Sequence, residues 1–376
     1  MKILGLDIGG ANIKAATADG ICVSVHFEIW KSPELLAETL TSKIAGVAGK
    51  ADLVAVTMTA ELADCFDTRT EGVAFIIQCV QQAFPQSLIR IWLTSGEFAE
   101  PEDACDLPML AAASNWNALA TWAGRAFPAG PALLLDIGST TTDIIPLLDG
   151  FCFAQGTTDL TRLQNSELLY TGASRTPVCA VVRTMPLEQQ LIPVAAEHFS
   201  TMLDVHIVTG GMPEQPELCE TADGRPADRE HALRRFARMV CSDPEELTEL
   251  QLVQAAEYVR DAQTEQIAEA VRSQLLRLSA AVSQSHAEDL RQQSDVASAD
   301  SGTSLENLSP GVLLCGSGSF IGRRVLEALN RGDANTVLDL SSMYNGRVSA
   351  AACAFAVARL AAERCLDDML PNSGFL

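Results

Sequence analysis

Two short stretches constrain this chain more than anything else in it. The first, LLLDIGSTTTDII from Leu133 to Ile145, runs from three leucines into Asp136, Gly138 and the hydroxyl residues Ser139, Thr140, Thr141 and Thr142, then returns to apolar residues. The leucines predict a buried strand that ends at the acid. Gly138 permits a tight turn because it has no Cβ to clash. The hydroxyls and N–H groups that follow make a concave anion site, and Asp136 at its lip is placed to hold a divalent cation that phosphates also touch. The second stretch, ILGLDIGGANIKAA from Ile3 to Ala16, repeats the grammar with Asp7, the pair Gly9-Gly10, and then Asn12 and Lys14 on a returning strand. One copy reads equally well as an ordinary hairpin with an acid before its turn. Two copies point to a matched pair of phosphate hairpins, one per domain.

The rest of the composition supports that organisation. A chain of 376 residues accommodates two domains, each able to bury a core. A formal charge of -22 excludes nucleic acid and anionic membrane surfaces as natural partners. Positive charge for a phosphate must then be local, from Lys14, backbone N–H groups and a metal. The eleven cysteines never fall in a CxxC spacing, which argues against a zinc site or a disulfide framework. Asp7 and two glycines interrupt the N-terminal apolar run too early for a signal peptide, and no stretch is apolar for long enough to span a bilayer. A cytoplasmic location is the expectation.

In chain order, three strands over residues 1 to 30 lead to a helix that starts at Ser32-Pro33. A strand Leu53 to Met58 ends in TMTAELADCF, which puts Glu61 and Asp64 where open parallel sheets bind their ligands. A solvated helix cap explains the same two acids. A helix is expected over Leu107 to Ala126, and 128–131 reads as the linker between domains 1–127 and 128–376. The second domain repeats the strand order of the first and carries an insertion, 156–310, in which Leu168 to Thr171 and Pro177 to Val182 read as strands. Arg162, Arg175 and Arg183 lie there. Arg175, in a glycine-bearing loop, suits a phosphate clamp, while the other two fit surface ion pairs. Segment 284–309 is rich in Ser, Asp, Gln and Ala and reads as mobile. Gly316 and Gly318 separate a buried strand from a helix, which suits a phosphate or a nucleotide and equally a simple packing turn. The helix Ser349 to Glu363 is expected to pack on Leu107 to Ala126 across a cleft.

Two DxG hairpins followed by a distal strand–GxG–helix resemble the acetate and sugar kinase, Hsc70 and actin superfamily. That resemblance implies an α/β fold of two ribonuclease H-like lobes around a central cleft, with Asp7 and Asp136 as catalytic acids and Mg²⁺ ligands. It makes Gly9, Gly10, Asn12, Lys14, Gly138 to Thr142, Arg175, Gly316 and Gly318 the phosphate-binding set. More narrowly, GLDIGGANIKAA, TMTAELADCF, ASNWNALA, LLLDIGSTTTDIIPL and RLQNSELLYTGASRTPVCA look like the hydantoinase/oxoprolinase-related proteins of the tetrahydromethanopterin-linked one-carbon pathway, whose archaeal members serve methanofuran biosynthesis. The resemblance implies a transferase. In it the phenolic oxygen of a tyramine compound displaces diphosphate from an aminomethylfuran-methanol diphosphate, with Glu61 or Asp64 as the base. Its partners would be small-molecule diphosphate and phenolic substrates, in a homodimer. Within the wider superfamily the same parts hold ATP, so a small-molecule kinase and a non-catalytic nucleotide-binding regulator stand as the alternatives.

Overall fold

The computed structural model describes residues 1–47, 49–293, 310–332 and 337–369. By their contacts they form two units, one of Met1–Leu134, Ile145–Arg162 and Asp339–Leu376, the other of Leu135–Ile144 and Leu163–Leu338. This is not the expected division at 127/128. The chain returns to the first unit twice, the second time through the C-terminal helix.

Unit 1 is built on strands β1 (Ile3–Ile8), β2 (Asn12–Thr17), β3 (Cys22–His26), β4 (Leu53–Met58), β5 (Leu88–Trp92) and β6 (Phe98–Ala99). Their order in one six-stranded sheet is β3-β2-β1-β4-β5-β6. The first three strands run antiparallel, and β4 and β5 lie parallel to β1. β1 and β4 are buried throughout and apolar except at Asp7 and Thr57, as strands covered on both faces must nearly be. One face is covered by the helix Ala352–Met369, which lies against β1 because Gly5 has no side chain: a Cβ there would come within 2.0 Å of the Ala354 carbonyl oxygen. This helix does meet the segment from Leu107 to Ala126, with Trp122 edge-on to Phe355. The meeting is inside unit 1, however, and not across a cleft.

The second six-stranded sheet contains β7 (Pro131–Ile137), β8 (Thr142–Leu148), β9 (Phe151–Cys152), β10 (Leu168–Leu169), β13 (Gly311–Cys315) and β14 (Val337–Asp339). Its order, β10-β8-β7-β13-β14 with β9 on β8, repeats the plan of the first sheet. The two remaining strands, β11 (Thr184–Leu187) and β12 (Gln190–Pro193), form a separate hairpin. Around it Val178, Met185, Met202, Val205, Phe236, Leu252 and Val259 make a helical core.

Three local expectations change. The run Pro177 to Val182 is not a strand; Val178–Val181 form a helical turn. The helix expected over Leu107 to Ala126 breaks into Pro108–Ala111 and Asn115–Ala123, because Ala113 turns left-handed with φ +47°. The helix Glu249–Gln293 runs through the start of the segment read as mobile; 294–309, the rest of it, lies outside the described residues.

Candidate functional site

In unit 1, Asp7 is the next-to-last residue of β1; it is buried and paired in register with Lys14 on β2 and Thr57 on β4. The turn closes through the Gly9 N–H, which donates to the Asn12 carbonyl at 3.0 Å. The next two carbonyls are tied away from it: Gly10 O accepts from Ile29 N and Ala11 O from Phe27 N, each at 3.0 Å. Among the described residues the N–H groups of Gly10 and Ala11 meet no acceptor. The direction in which a Gly10 Cβ would point is open for 4 Å. A turn with its carbonyls pinned behind and its donors forward is an anion-binding concavity.

The turn in unit 2 is made the same way. Asp136 is the next-to-last residue of β7, and the Gly138 N–H donates to the Thr141 carbonyl at 2.9 Å. The backbone behind this turn is the loop 171–175. Ala173 N donates to Gly138 O at 2.9 Å, while Ser174 N and Arg175 N share Ser139 O at 3.1 and 2.9 Å. Ser139 N and Thr140 N meet no acceptor among the described residues. The third glycine motif closes against this hairpin. Gly318 N donates to Ile137 O at 2.8 Å, and a Cβ on Gly316, whose φ is +88°, would sit 2.1 Å from Ile137 O and 2.5 Å from Asp136 Oδ1. The structure thus brings Asp136, Gly138, Ser139, Thr140, Thr141, Arg175, Gly316 and Gly318 together. Thr142 leaves the set: it is fully buried and its hydroxyl donates inward to the Thr171 carbonyl at 2.7 Å.

Each acid is an all-oxygen donor at the start of a donor-rich turn, and Asp136 sits in a cradle that a Cβ on Gly316 would fill. Among the described residues no three His, Cys, Asp or Glu side chains converge on a metal position. One or two carboxylates, completed by waters and substrate phosphate oxygens, are the usual holding of Mg²⁺, so the residues present fit it.

Of the two candidate bases, the structure separates Glu61 from Asp64. Thr59 N and Ala60 N both donate to Ile8 O, at 2.9 and 3.1 Å, which fixes the exit from β4. Glu61 follows and is buried at 1 % exposure, its main chain pressed on Gly72, whose Cβ would meet Glu61 O at 2.2 Å. Its Oε2 has no hydrogen-bond partner among the described residues. Burial pushes the carboxyl up to about 7; the charge of Asp159 adds to the rise, and its own N–H, the Arg69 guanidinium and the Ala113 N–H oppose it. Asp64 is exposed. A group poised near neutrality suits proton transfer at the pH of a cell.

Beside Glu61 lies a cluster that sequence reasoning missed. Arg162, expected on the surface, is 1 % exposed, with its guanidinium 4.2 Å over the Trp116 ring. Asp159 links it to Arg69, at 4.0 and 3.5 Å. Asn117 accepts from the Trp92 indole at 3.0 Å and is a packing residue.

A family model described as hydantoinase/oxoprolinase matches residues 52–363. The chain belongs to the hydantoinase/oxoprolinase family. Within it, the (4-{4-[2-(gamma-L-glutamylamino)ethyl]phenoxymethyl}furan-2-yl)methanamine synthase of Methanocaldococcus jannaschii is 37 % identical over 259 residues, 68 % of this chain and 76 % of the relative. The protein of the same name from Methanococcus vannielii is 41 % identical over 111 residues, 30 % of this chain and 50 % of that one. Kinship with two synthases marks this family member as an enzyme acting on small molecules. The fold is likewise that of a known architecture: nucleotide-free acetone carboxylase matches with a TM-score of 0.55 at 12 % identity, over 95 % of this chain and 70 % of the other. It is a mixed α/β fold, as the sequence implied. No described helix is long and apolar enough to cross a membrane.

Proposed function

We propose that this enzyme forms an aryl furfuryl ether in the biosynthesis of a methanofuran-type cofactor. The phenol oxygen of a γ-glutamyltyramine-like compound attacks the methylene carbon of an aminomethylfuran-methanol diphosphate. The carbon–oxygen bond to diphosphate breaks, and its electron pair leaves with the diphosphate. The proton of the phenol passes to Glu61 and from there to solvent. What supports the reading most is the pair of donor-forward turns, each opened by an acid, on a chain whose relatives are named for a phenoxymethylfuran product.

The physical demand of the step is on the leaving group. A furfuryl carbon ionises readily because the ring oxygen delocalises its charge, so the barrier lies in stabilising the departing diphosphate. Donors aimed at such developing charge contribute roughly a factor of a hundred to a thousand each. The N–H groups of Gly10, Ala11, Ser139 and Thr140 are such donors, with the Thr140 and Thr141 hydroxyls, Lys14 and Arg175 beside them. Mg²⁺ at either acid, Asp7 or Asp136, would supply Lewis acidity to the diphosphate oxygens. A phenol with a pKa of about 10 needs a base, and Glu61 supplies it. With so little of Glu61 exposed, the phenol reaches it when the turn that follows β4 moves aside.

The test is to mix the purified protein with the furan diphosphate, γ-glutamyltyramine and Mg²⁺, and to follow diphosphate release and the ether by mass spectrometry. Stoichiometric formation of both is expected without ATP. Turnover seen only with Mg·ATP, with ADP as product, overturns the proposal in favour of a kinase.

A further inference from the structure

The second anion turn is supported from behind. Loop 171–175 supplies three N–H groups to the turn's carbonyls, and Gly172 is packed so closely that a Cβ would lie 2.7 Å from Gly138 O, Ser139 C and Thr140 C. The turn therefore has the geometry of this loop. The loop in turn is held from the helix Glu249–Gln293 by one fully buried side chain, Gln263. Its Nε2 donates to Thr171 Oγ1 and to Gly172 O, both at 2.9 Å. Its Oε1 faces His206 Nε2 at 3.1 Å.

The orientation of that amide is fixed by chemistry. Gly172 O can only accept, so the amide NH₂ must face it and the amide oxygen must face His206, whose Nε2 then carries the hydrogen. His206 is itself held by the edge-on ring of Phe320, 5.0 Å away. Its burial pushes it down to about 4, with Arg260 and Arg324 opposing its charge, so it stays neutral and its tautomer is settled. The result is a continuous line from His206 through Gln263 and Thr171-Gly172 to the donors of Ser139 and Thr140.

We propose that Gln263 is a positioning residue for the diphosphate group, acting through Thr171 and Gly172 to hold the N–H groups of Ser139 and Thr140 forward. The proposal rests on the reading of this turn as a diphosphate site. It makes affinity for diphosphate, and not for the phenol, depend on a glutamine that never touches the ligand.

The test uses the full chain and inorganic diphosphate with Mg²⁺, titrated calorimetrically in the absence of other substrates. Gln263→Met is close in size and removes all three hydrogen bonds. Thr171→Val removes one and keeps the Thr171 carbonyl. Diphosphate binding is expected to weaken about tenfold in the first, equal to roughly 1.4 kcal/mol, and about threefold in the second. The KM for the phenol should stay within about twofold in both, a split that general loosening of the fold does not produce. Should Gln263→Met fail to fold, Thr171→Val decides alone. Wild-type affinity for diphosphate in a folded variant overturns the proposal, as does equal loss of diphosphate and phenol affinity. If the wild type binds diphosphate, the variants weaken it and yet no ether forms, the positioning role stands and the ether-synthase reading falls.

Discussion

Replacing Glu61 by Gln should make the protein more stable and far less active. The carboxyl titrates at about 7 where 4.5 is ordinary, so its proton is held tighter in the folded chain by about 2.5 pH units. At about 1.36 kcal/mol per pH unit, ionising it in place costs the fold about 3 kcal/mol. The sign follows from linkage. Below about 4.5 the group is protonated in both folded and unfolded chains and the cost is nil. Between 4.5 and 7 the unfolded chain ionises first, so stability falls as pH rises, and above about 7 the full cost is present. Glutamine is neutral throughout and has the same shape, so Glu61→Gln should nearly match wild type at pH 4 and exceed it by up to about 3 kcal/mol at pH 8. Urea unfolding midpoints of both proteins at the two pH values measure this. In the same samples turnover at pH 8 should fall by roughly 10² to 10⁴, the usual yield of a general base. The wild-type kcat/KM should rise with pH up to about 7 on a limb that the variant lacks. Parallel stability curves for the two proteins would refute the burial argument, and unchanged turnover would remove Glu61 from the chemistry.

Three further outcomes follow from the geometry. Gly172→Ala places a methyl 2.7 Å from the backbone of the second turn, so diphosphate affinity should drop at least about tenfold by calorimetry while phenol affinity holds. Arg162→Met removes a buried cation from the face of Trp116 and should lower stability by about 2 kcal/mol, read from urea unfolding. Chelating Mg²⁺ with EDTA should abolish diphosphate release in a coupled phosphate assay and restored Mg²⁺ should recover it, whereas Asp136→Asn should remain weak even in excess Mg²⁺.

The features legible in the sequence were those the backbone writes locally. A strand that ends in Asp-x-Gly announces its own turn, which is why both hairpins, their acids and the neighbouring Gly316 and Gly318 were located from residue types alone. Glu61 was singled out because it follows a strand end, but its burial, with its main chain pressed on Gly72, and the upward shift that burial causes are invisible in one dimension. Arg162 looked like a surface charge because nothing near it in sequence hints at Trp116. Gln263 was missed for the same reason: its partner Thr171 is 92 residues away. Thr142 was over-read, since four consecutive hydroxyl residues cannot all face one way on an extended chain, and the fourth turns inward. The C-terminal helix was placed in the wrong half because Gly5, read only as part of a strand, is what admits it onto β1.

The two anion turns share a hydrogen-bond plan but not a sequence: one is written GGAN, the other GSTT. Their grip lies in amide groups that every residue type except proline carries. Mutation can therefore rewrite the side chains of either turn without removing the N–H groups that it presents. On the proposed reading, a scaffold of this kind is free to exchange the molecule it transforms while retaining the group it expels, and innovation falls to side chains outside the turns.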